Sequence, residues 1–361
     1  MKKEILNSLR DLNIVRDKVT PILSPDEIRS EIPGTDIAGN TILQARKNIS
    51  DIINGNDSRF LLFIGPCSVH HYGAGIEYAQ WLADTIVPEV KDNMVVIMRT
   101  YFEKPRTTIG WKGMIRDPHI NATDDTNEGL RLSRNFLVDV TNLGLATSME
   151  VLGSISVTYL DELLSHGSIG ARTIESQPQR EVASGLSFPI GYKNSMTSDV
   201  IVALDAIKAA YHKHTFVGME DNGDIAFIPT KGNPNGHLIL RGGYNGTHHP
   251  NYDAKNVNNA ITLAKNRQLN PYLVIDASHG NSGKDYTKQP EIGIDVATQR
   301  AQGNKYIVGL MFESYHEDGN QDINFDKGLE GHDPYVSITD ACMGKKMTYE
   351  LVMRINDILS K

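Results

Sequence analysis

The stretch Met94-Val95-Val96-Ile97-Met98-Arg99-Thr100-Tyr101-Phe102-Glu103-Lys104-Pro105-Arg106-Thr107-Thr108 opens with five apolar residues and closes with cations and hydroxyls. An apolar run without polar alternation suits a strand buried on both faces. Arg99 stands where that strand should end, Pro105 fixes the backbone between Lys104 and Arg106, and two threonines follow. Fixed cations just past a buried strand are costly unless an anion neutralises them. The arginine fork is shaped for phosphate or carboxylate. A solvated basic loop is the common fate of such a cluster, so the rest of the chain has to discriminate.

Outward from this stretch the same unit recurs. Apolar strands are expected at 60–64, 95–98, 145–149, 168–171, 188–192, 237–240, 272–275 and 307–312, each followed by a helical pattern, the last at 345–359. Between the fifth and sixth units, 215–219 and 224–228 flank Glu220-Asp221-Asn222-Gly223, a β-hairpin signal. Eight strand–helix units predict a (β/α)8 TIM barrel over residues 59–361, carrying an inserted hairpin at about 214–236. An open doubly wound sheet competes, but no Gly-x-Gly-x-x-Gly follows the first strand. Residues 1–58 read as an N-terminal extension that packs on the barrel or on another subunit. They contain a short strand at 11–15, a helix start at Ser24-Pro25-Asp26-Glu27 and helical spacing over 37–53.

At 361 residues and 40% hydrophobic content, the chain can bury one large core. Its net charge of -8 excludes nucleic acid and anionic membranes as expected partners, while leaving room for small anions. No apolar run is long enough to span a membrane, and Met1-Lys2-Lys3-Glu4 lacks a signal-peptide core. Two cysteines are too few for a disulfide framework, so a reducing cytoplasm is expected.

A barrel's active site lies at the C-terminal ends of its strands. Those ends carry Cys67; Arg99, Lys104 and Arg106; Glu150; Ala171-Arg172; Lys193; Arg241-Gly242-Gly243; Asp276-Ala277-Ser278-His279; and Glu313, with Asp340 in the loop beyond. Arg99, Lys104, Arg106, Arg172, Lys193 and Arg241 make a cationic cup too strong for one carboxylate, which points to phosphorylated substrates. Cys67, His279, Glu313 and Asp340 offer a thiolate, an imidazole and two carboxylates, a mixed donor set suited to Mn, Fe, Co or Zn. Singly, Cys67 would read as a small core residue and His279 as a core histidine; jointly the metal reading is better. Gly280-Asn281-Ser282-Gly283-Lys284 fails the spacing of a phosphate loop. His70-His71, His248-His249, His212 and His214 read as surface or loop histidines without a chemical role.

These strand ends, written as Gly65-Pro66-Cys67-Ser68, Lys104-Pro105-Arg106-Thr107-Thr108, Gly170-Ala171-Arg172-Thr173, Gly191-Tyr192-Lys193-Asn194, Leu240-Arg241-Gly242-Gly243, Asp276-Ala277-Ser278-His279 and Ser337-Ile338-Thr339-Asp340, resemble the type I alpha class of 3-deoxy-D-arabino-heptulosonate 7-phosphate synthases. The resemblance covers nearly the whole chain. It implies condensation of phosphoenolpyruvate with D-erythrose 4-phosphate, the first step of the shikimate pathway. It also implies a divalent metal on Cys67, His279, Glu313 and Asp340. Phosphoenolpyruvate falls on Arg99, Lys104, Arg172, Lys193 and Arg241, with Ala171 and Glu150 close by. Lys104, Arg106 and Thr107 fall on the tetrose phosphate, with Arg106 and Thr107 at its phosphate end, and Pro105 and Asp340 are further substrate-binding candidates. Lys104 becomes the candidate proton donor and Glu150 the group that helps a water. The sibling octulosonate 8-phosphate synthase, which takes a pentose phosphate, is the alternative; it carries a Lys-Ala-Asn-Arg-Ser type segment where this chain has Lys104 to Thr108. The resemblance further implies a homo-oligomer, dimer or tetramer, with an aromatic amino-acid pocket at Asp11, Leu186, Ser187 and Gly218. Gly218 stands where phenylalanine-sensitive members tend to have serine, and would leave room for a tyrosine hydroxyl. Weak tyrosine preference or lost inhibition is therefore expected. Cys342, two residues past Asp340, could pair with Cys67 on oxidation.

Overall fold

The computed structural model describes residues 19–361; Asp11 and the strand expected at 11–15 lie outside them. The strands, in chain order, are β1 (Phe60–Gly65), β2 (Met94–Arg99), β3 (Ala146–Glu150), β4 (His166–Ile169), β5 (Ile190–Lys193), β6 (Thr215–Met219), β7 (Ile225–Pro229), β8 (Gly236–Leu240), β9 (Gly243–Tyr244), β10 (His248–His249), β11 (Leu273–Asp276) and β12 (Ile307–Glu313). Eight of them close into one parallel barrel in the order β1-β2-β3-β4-β5-β8-β11-β12, with β12 returning to β1. The expected (β/α)8 barrel is thus the observed fold.

Side chains alternate across a strand, so each barrel strand has an inner and an outer set. Phe60, Leu62, Ile64, Leu238, Leu240, Ile275 and Phe312 pack outward into the main core beneath the helices. Leu61, Phe63, Ile97, Ala146, Ile239, Val274 and Met311 form a separate inner cluster. Continuing the inner set two residues toward the carboxyl end reaches Arg99 from Ile97, Arg241 from Ile239, Asp276 from Val274 and Glu313 from Met311. The barrel's period therefore delivers charged residues to its mouth.

The opposite end is sealed by the helix Asp36–Ile53, whose Thr35 N-cap accepts from Ala38 N. Its Ala45, Ile49, Ile52 and Ile53 enter the inner cluster. Ile49, Ile52 and Ile53 are fully buried, each contributing about 1.5–3 kcal/mol. Residues 36–53 of the extension are thus the floor of the barrel.

The inserted hairpin forms as expected, β6 pairing antiparallel with β7 from Thr215↔Pro229 to Met219↔Ile225. Two details differ. The fourth strand is His166–Ile169, two residues earlier than expected. The helical pattern expected after the third strand is broken into a short helix Ser154–Thr158 and a 3-10 turn Asp161–Leu163. The Leu163 and Leu164 carbonyls accept from Thr147 Oγ1 and Arg46 Nε, so they are withdrawn from any helical ladder.

Candidate active site

At the mouth, a cavity of about 210 Å³ is lined by Lys104, Pro105, Arg106, Thr107, Glu150, Ala171, Arg172, Lys193, Arg241, His279, Lys284 and Asp340, among others. Nearly every expected site residue lies there. Arg172 Nε donates to Thr107 Oγ1 at 3.2 Å, joining the β2 loop to the β4 loop across the rim. Cys67, Glu313 and Arg99 are not part of that lining: all three are buried, and Arg99 places Nη2 on Glu313 Oε1 at 3.1 Å and Nε on the Pro66 carbonyl. Its Nη1 has no partner among the described residues.

Cys67, Glu313 and Asp340 place one ligand atom each within 4.8 Å of one another. His279 stands beside them, Nε2 3.7 Å from Glu313 Oε1. Its Nδ1 lies 3.0 Å from Asp276 Oδ2, so the proton belongs on Nδ1 and the Nε2 lone pair faces Glu313. That carboxylate–imidazole arrangement is the one metal-ligating histidines use. His279 also holds φ at 55°, a strained left-handed conformation for a side chain of this size. The donor set therefore fits a borderline divalent ion.

Local charges set the protonation states. Burial, with Glu313 close by, pushes the Cys67 thiol up to about 11, against the pull of Lys104. The thiol accepts from Lys104 Nζ at 3.1 Å and from Asp340 N at 3.4 Å. Burial works against the Lys104 ammonium, but Cys67, Glu313, Glu150 and Asp340 outweigh it and raise its pKa. Burial likewise works against the Asp340 carboxylate, yet His279, Lys104 and Lys284 hold it well below the usual range. Burial lowers the pKa of Arg241, with Asp276 opposing.

Residues absent from the expected set prove structural to it. Asp276 is fully buried and accepts from Lys193 Nζ at 2.9 Å and from Ser278 Oγ at 2.6 Å, besides holding His279. It sits two residues beyond an inner-cluster position, and that period was the signal that could have found it. Gln289 clamps the Glu313 backbone, donating to its carbonyl and accepting from its N–H. Asn194 Oδ1 accepts from Arg241 N at 2.8 Å, and Asn251 bridges Asn194 and Gly242. Gly170 leaves room for Glu150: a Cβ there would lie 1.8 Å from Glu150 Oε1 and displace that carboxylate. His70, expected at the surface or in a loop, lies in a loop but is buried against Tyr315; burial pushes its pKa down to about 4. His71 caps the helix Tyr72–Trp81. Cys342 and Cys67 are both free and buried.

A larger cavity, about 750 Å³, lies on the other face of the same strip, sharing Lys104, Pro105, Arg106 and Thr108. Of the effector positions, Leu186 packs partly buried on the core and Ser187 Oγ accepts from Arg46 Nη1 at 3.0 Å. The space at Gly218 is already filled: a Cβ there would meet Ile228 Cδ1 at 2.5 Å and Phe216 Cε2 at 2.9 Å.

Residues 37–353 match the family model described as the DAHP synthetase I family. The chain is 41% identical over 360 residues to the Tyr-sensitive phospho-2-dehydro-3-deoxyheptonate aldolase of Salmonella typhimurium, covering 100% of this chain and 98% of the relative. It is 43% identical over 341 residues to the Phe-sensitive enzyme of Escherichia coli, covering 94% of each. The solved phospho-2-dehydro-3-deoxyheptonate aldolase of Francisella tularensis superposes with a TM-score of 0.91 at 42% identity, covering 96% of this chain and 99% of that one. A chain that matches this family model over most of its length, and its members end to end, belongs to the DAHP synthetase I family.

Proposed function

We propose that this chain, a transferase of the first shikimate-pathway step, condenses phosphoenolpyruvate with D-erythrose 4-phosphate and depends on a divalent metal ion. The observation that carries the reading is the pairing, at one mouth, of a thiol–carboxylate trio with a cationic rim. Cys67, Glu313, Asp340 and the Nε2 of His279 would hold the ion. When bound, it supplies Lewis-acid polarisation of the aldehyde.

The remaining steps belong to the chain's own residues. Lys193, Arg241 and the unpartnered Nη1 of Arg99 bind the carboxylate and phosphate of phosphoenolpyruvate from below, with Arg172 closing the rim. The Ala171 backbone orients the same group. Pro105 sets the reach of Lys104 and Arg106; Arg106 and Thr107 take the phosphate of the tetrose. The Lys104 ammonium delivers a proton to the new alkoxide, and Glu150 orients the water that attacks C2, after which phosphate leaves with C–O cleavage. Asp276 acts through Lys193 and His279, keeping both aimed.

Coupled measurement of phosphoenolpyruvate loss and phosphate release tests this, with and without chelator and with Mn, Fe, Co and Zn added back singly. Turnover that survives exhaustive chelation sinks the metal dependence. Faster reaction with arabinose 5-phosphate than with erythrose 4-phosphate would favour the octulosonate alternative.

Feedback by an aromatic amino acid is supported by the names of the Tyr-sensitive and Phe-sensitive relatives, and its proposed pocket is Asp11, Leu186, Ser187 and Gly218. Of the two behaviours expected, weak tyrosine preference or lost inhibition, the side chains of Ile228 and Phe216 that fill the space beside Gly218 favour lost inhibition. The hairpin's exposed Val217, Ile225 and Phe227 suit a homo-oligomer contact. Among the described residues no helix is long and apolar enough to cross a membrane; a cytoplasmic location and small phosphorylated substrates as partners complete the reading.

A further inference from the structure

The turn after β11 carries one more cation into the mouth. The stretch Gly280 to Lys284 fails as a phosphate loop on its spacing, yet its last residue lines the same cavity as Arg106, Thr107 and Asp340. Lys284 Nζ donates to Asp340 Oδ1 at 2.9 Å while 51% of its side chain stays exposed. An ammonium has three N–H donors. Asp340 takes one, and no other hydrogen bond to Lys284 Nζ is formed among the described residues.

The backbone is bent to bring this about. Gly283 and Lys284 both hold φ at 65°, and Lys284 N donates to the His279 carbonyl at 2.8 Å. Glycine adopts that conformation freely, whereas lysine there is strained. An exposed ion pair adds little to stability, so stability does not account for the strain. Position does. The cations Lys193 and Arg241 lie deep, no more than 5% exposed. Lys284 sits at the open rim beside Asp340, which with Arg106 also lines an adjoining cavity of about 340 Å³. A substrate that enters first fills the depth, and the one that enters last meets the rim.

We propose that Lys284 is a substrate-binding and specificity-determining residue. Asp340 holds its ammonium at the rim, and its remaining donors take hydroxyl or phosphate oxygens of the aldose phosphate, the second substrate. This rests on the reading that the mouth binds phosphoenolpyruvate and a tetrose phosphate.

The test uses the full-length metal-loaded enzyme with Lys284→Met and Lys284→Arg, assayed at saturating Mn²⁺, whose affinity is measured separately by equilibrium dialysis. Steady-state kinetics vary each substrate in turn. Calorimetry with phosphoenolpyruvate present follows binding of erythritol 4-phosphate, which lacks the reacting aldehyde. In Lys284→Met, KM for erythrose 4-phosphate should rise about 10- to 100-fold, the scale of one lost charge-assisted hydrogen bond. Erythritol 4-phosphate affinity should fall in parallel, KM for phosphoenolpyruvate should barely move, and Lys284→Arg should restore most of the loss. The inference is overturned by an unchanged tetrose KM and analogue affinity, by an equal rise for both substrates, or by an effect that vanishes once Mn²⁺ is saturating. Wild-type enzyme inert toward both substrates would bring down the functional reading and this inference together. Wild-type turnover with an unresponsive Lys284→Met overturns the inference alone.

Discussion

The two ends of the barrel are built from the same strands with the same alternation, yet they differ in kind. The floor is an apolar plug in which Ile49, Ile52 and Ile53 meet Leu61, Phe63 and Ile97. The mouth, two residues further along the same inner faces, holds the buried pairs Arg99–Glu313 and Lys193–Asp276. Burying ions costs more than burying methyl groups, and a buried pair replaced by apolar side chains is often no less stable. The charges at the mouth are therefore best explained by what they bind, and the floor by what it holds together.

Substitutions at the two ends should separate these roles. The largest effect is expected for Cys67→Ala. Loss of a donor from the trio should lower kcat by roughly a thousandfold or more and abolish tight Mn²⁺ binding, with the thermal midpoint little changed. Retained Mn²⁺ affinity would remove Cys67 from the ligand set. Glu313→Gln at the mouth should hit both properties. It leaves the fully buried Arg99 guanidinium without its carboxylate, a loss of about 3–5 kcal/mol in denaturant unfolding, together with loss of turnover. At the floor, Ile49→Ala should cost about 2–5 kcal/mol and leave kcat/KM near the wild-type value at a temperature where the variant is folded. A large kinetic defect in Ile49→Ala would erase the distinction between the ends.

A fourth prediction concerns the layer between them. His166 and His237 lie inside the barrel with their Nε2 atoms 3.4 Å apart, and His166 Nδ1 is 2.8 Å from Ser148 Oγ. Burial pushes His237 down to about 3, and holds His166, which His237 and Lys193 also disfavour as a cation, well below its ordinary value. His70 is pushed down to about 4. Below pH 6.5 the unfolded chain takes up protons that these folded imidazoles refuse, so stability present above that pH is lost as pH falls toward 4 and 3. The loss should reach on the order of 2 kcal/mol per histidine by about pH 5. His237→Gln should flatten the slope of unfolding free energy against pH, and an unaltered slope would exclude His237 as a contributor. The smallest effect is expected for Gly218→Ser on the hairpin. It should displace the far end of Ile228 and the ring edge of Phe216, cost about 1 kcal/mol, and leave uninhibited turnover intact in the same coupled assay.

Much of the mouth was legible because strand ends are marked in the sequence by a change from apolar to charged. Arg99, Lys193, Arg241 and Glu313 were readable by that change, and 345–359 by its helical spacing. The fourth strand falls at His166–Ile169 rather than 168–171, and only the barrel interior shows that a histidine faces inward there. Asp276 was passed over for the neighbouring His279, although the same strand end carries both.

The chain's order of apolar runs by itself determined a closed barrel, its inserted hairpin and the side of the barrel on which charge would gather, because period and burial are local properties of sequence. Only tertiary structure decided that residues 36–53 are the floor, that Arg99 is buried against Glu313, that His279 is aimed by Asp276, and that Lys284 reaches Asp340. Those outcomes depend on distances between residues far apart in the chain, set when the sheet closes, and no spacing along one strand encodes them.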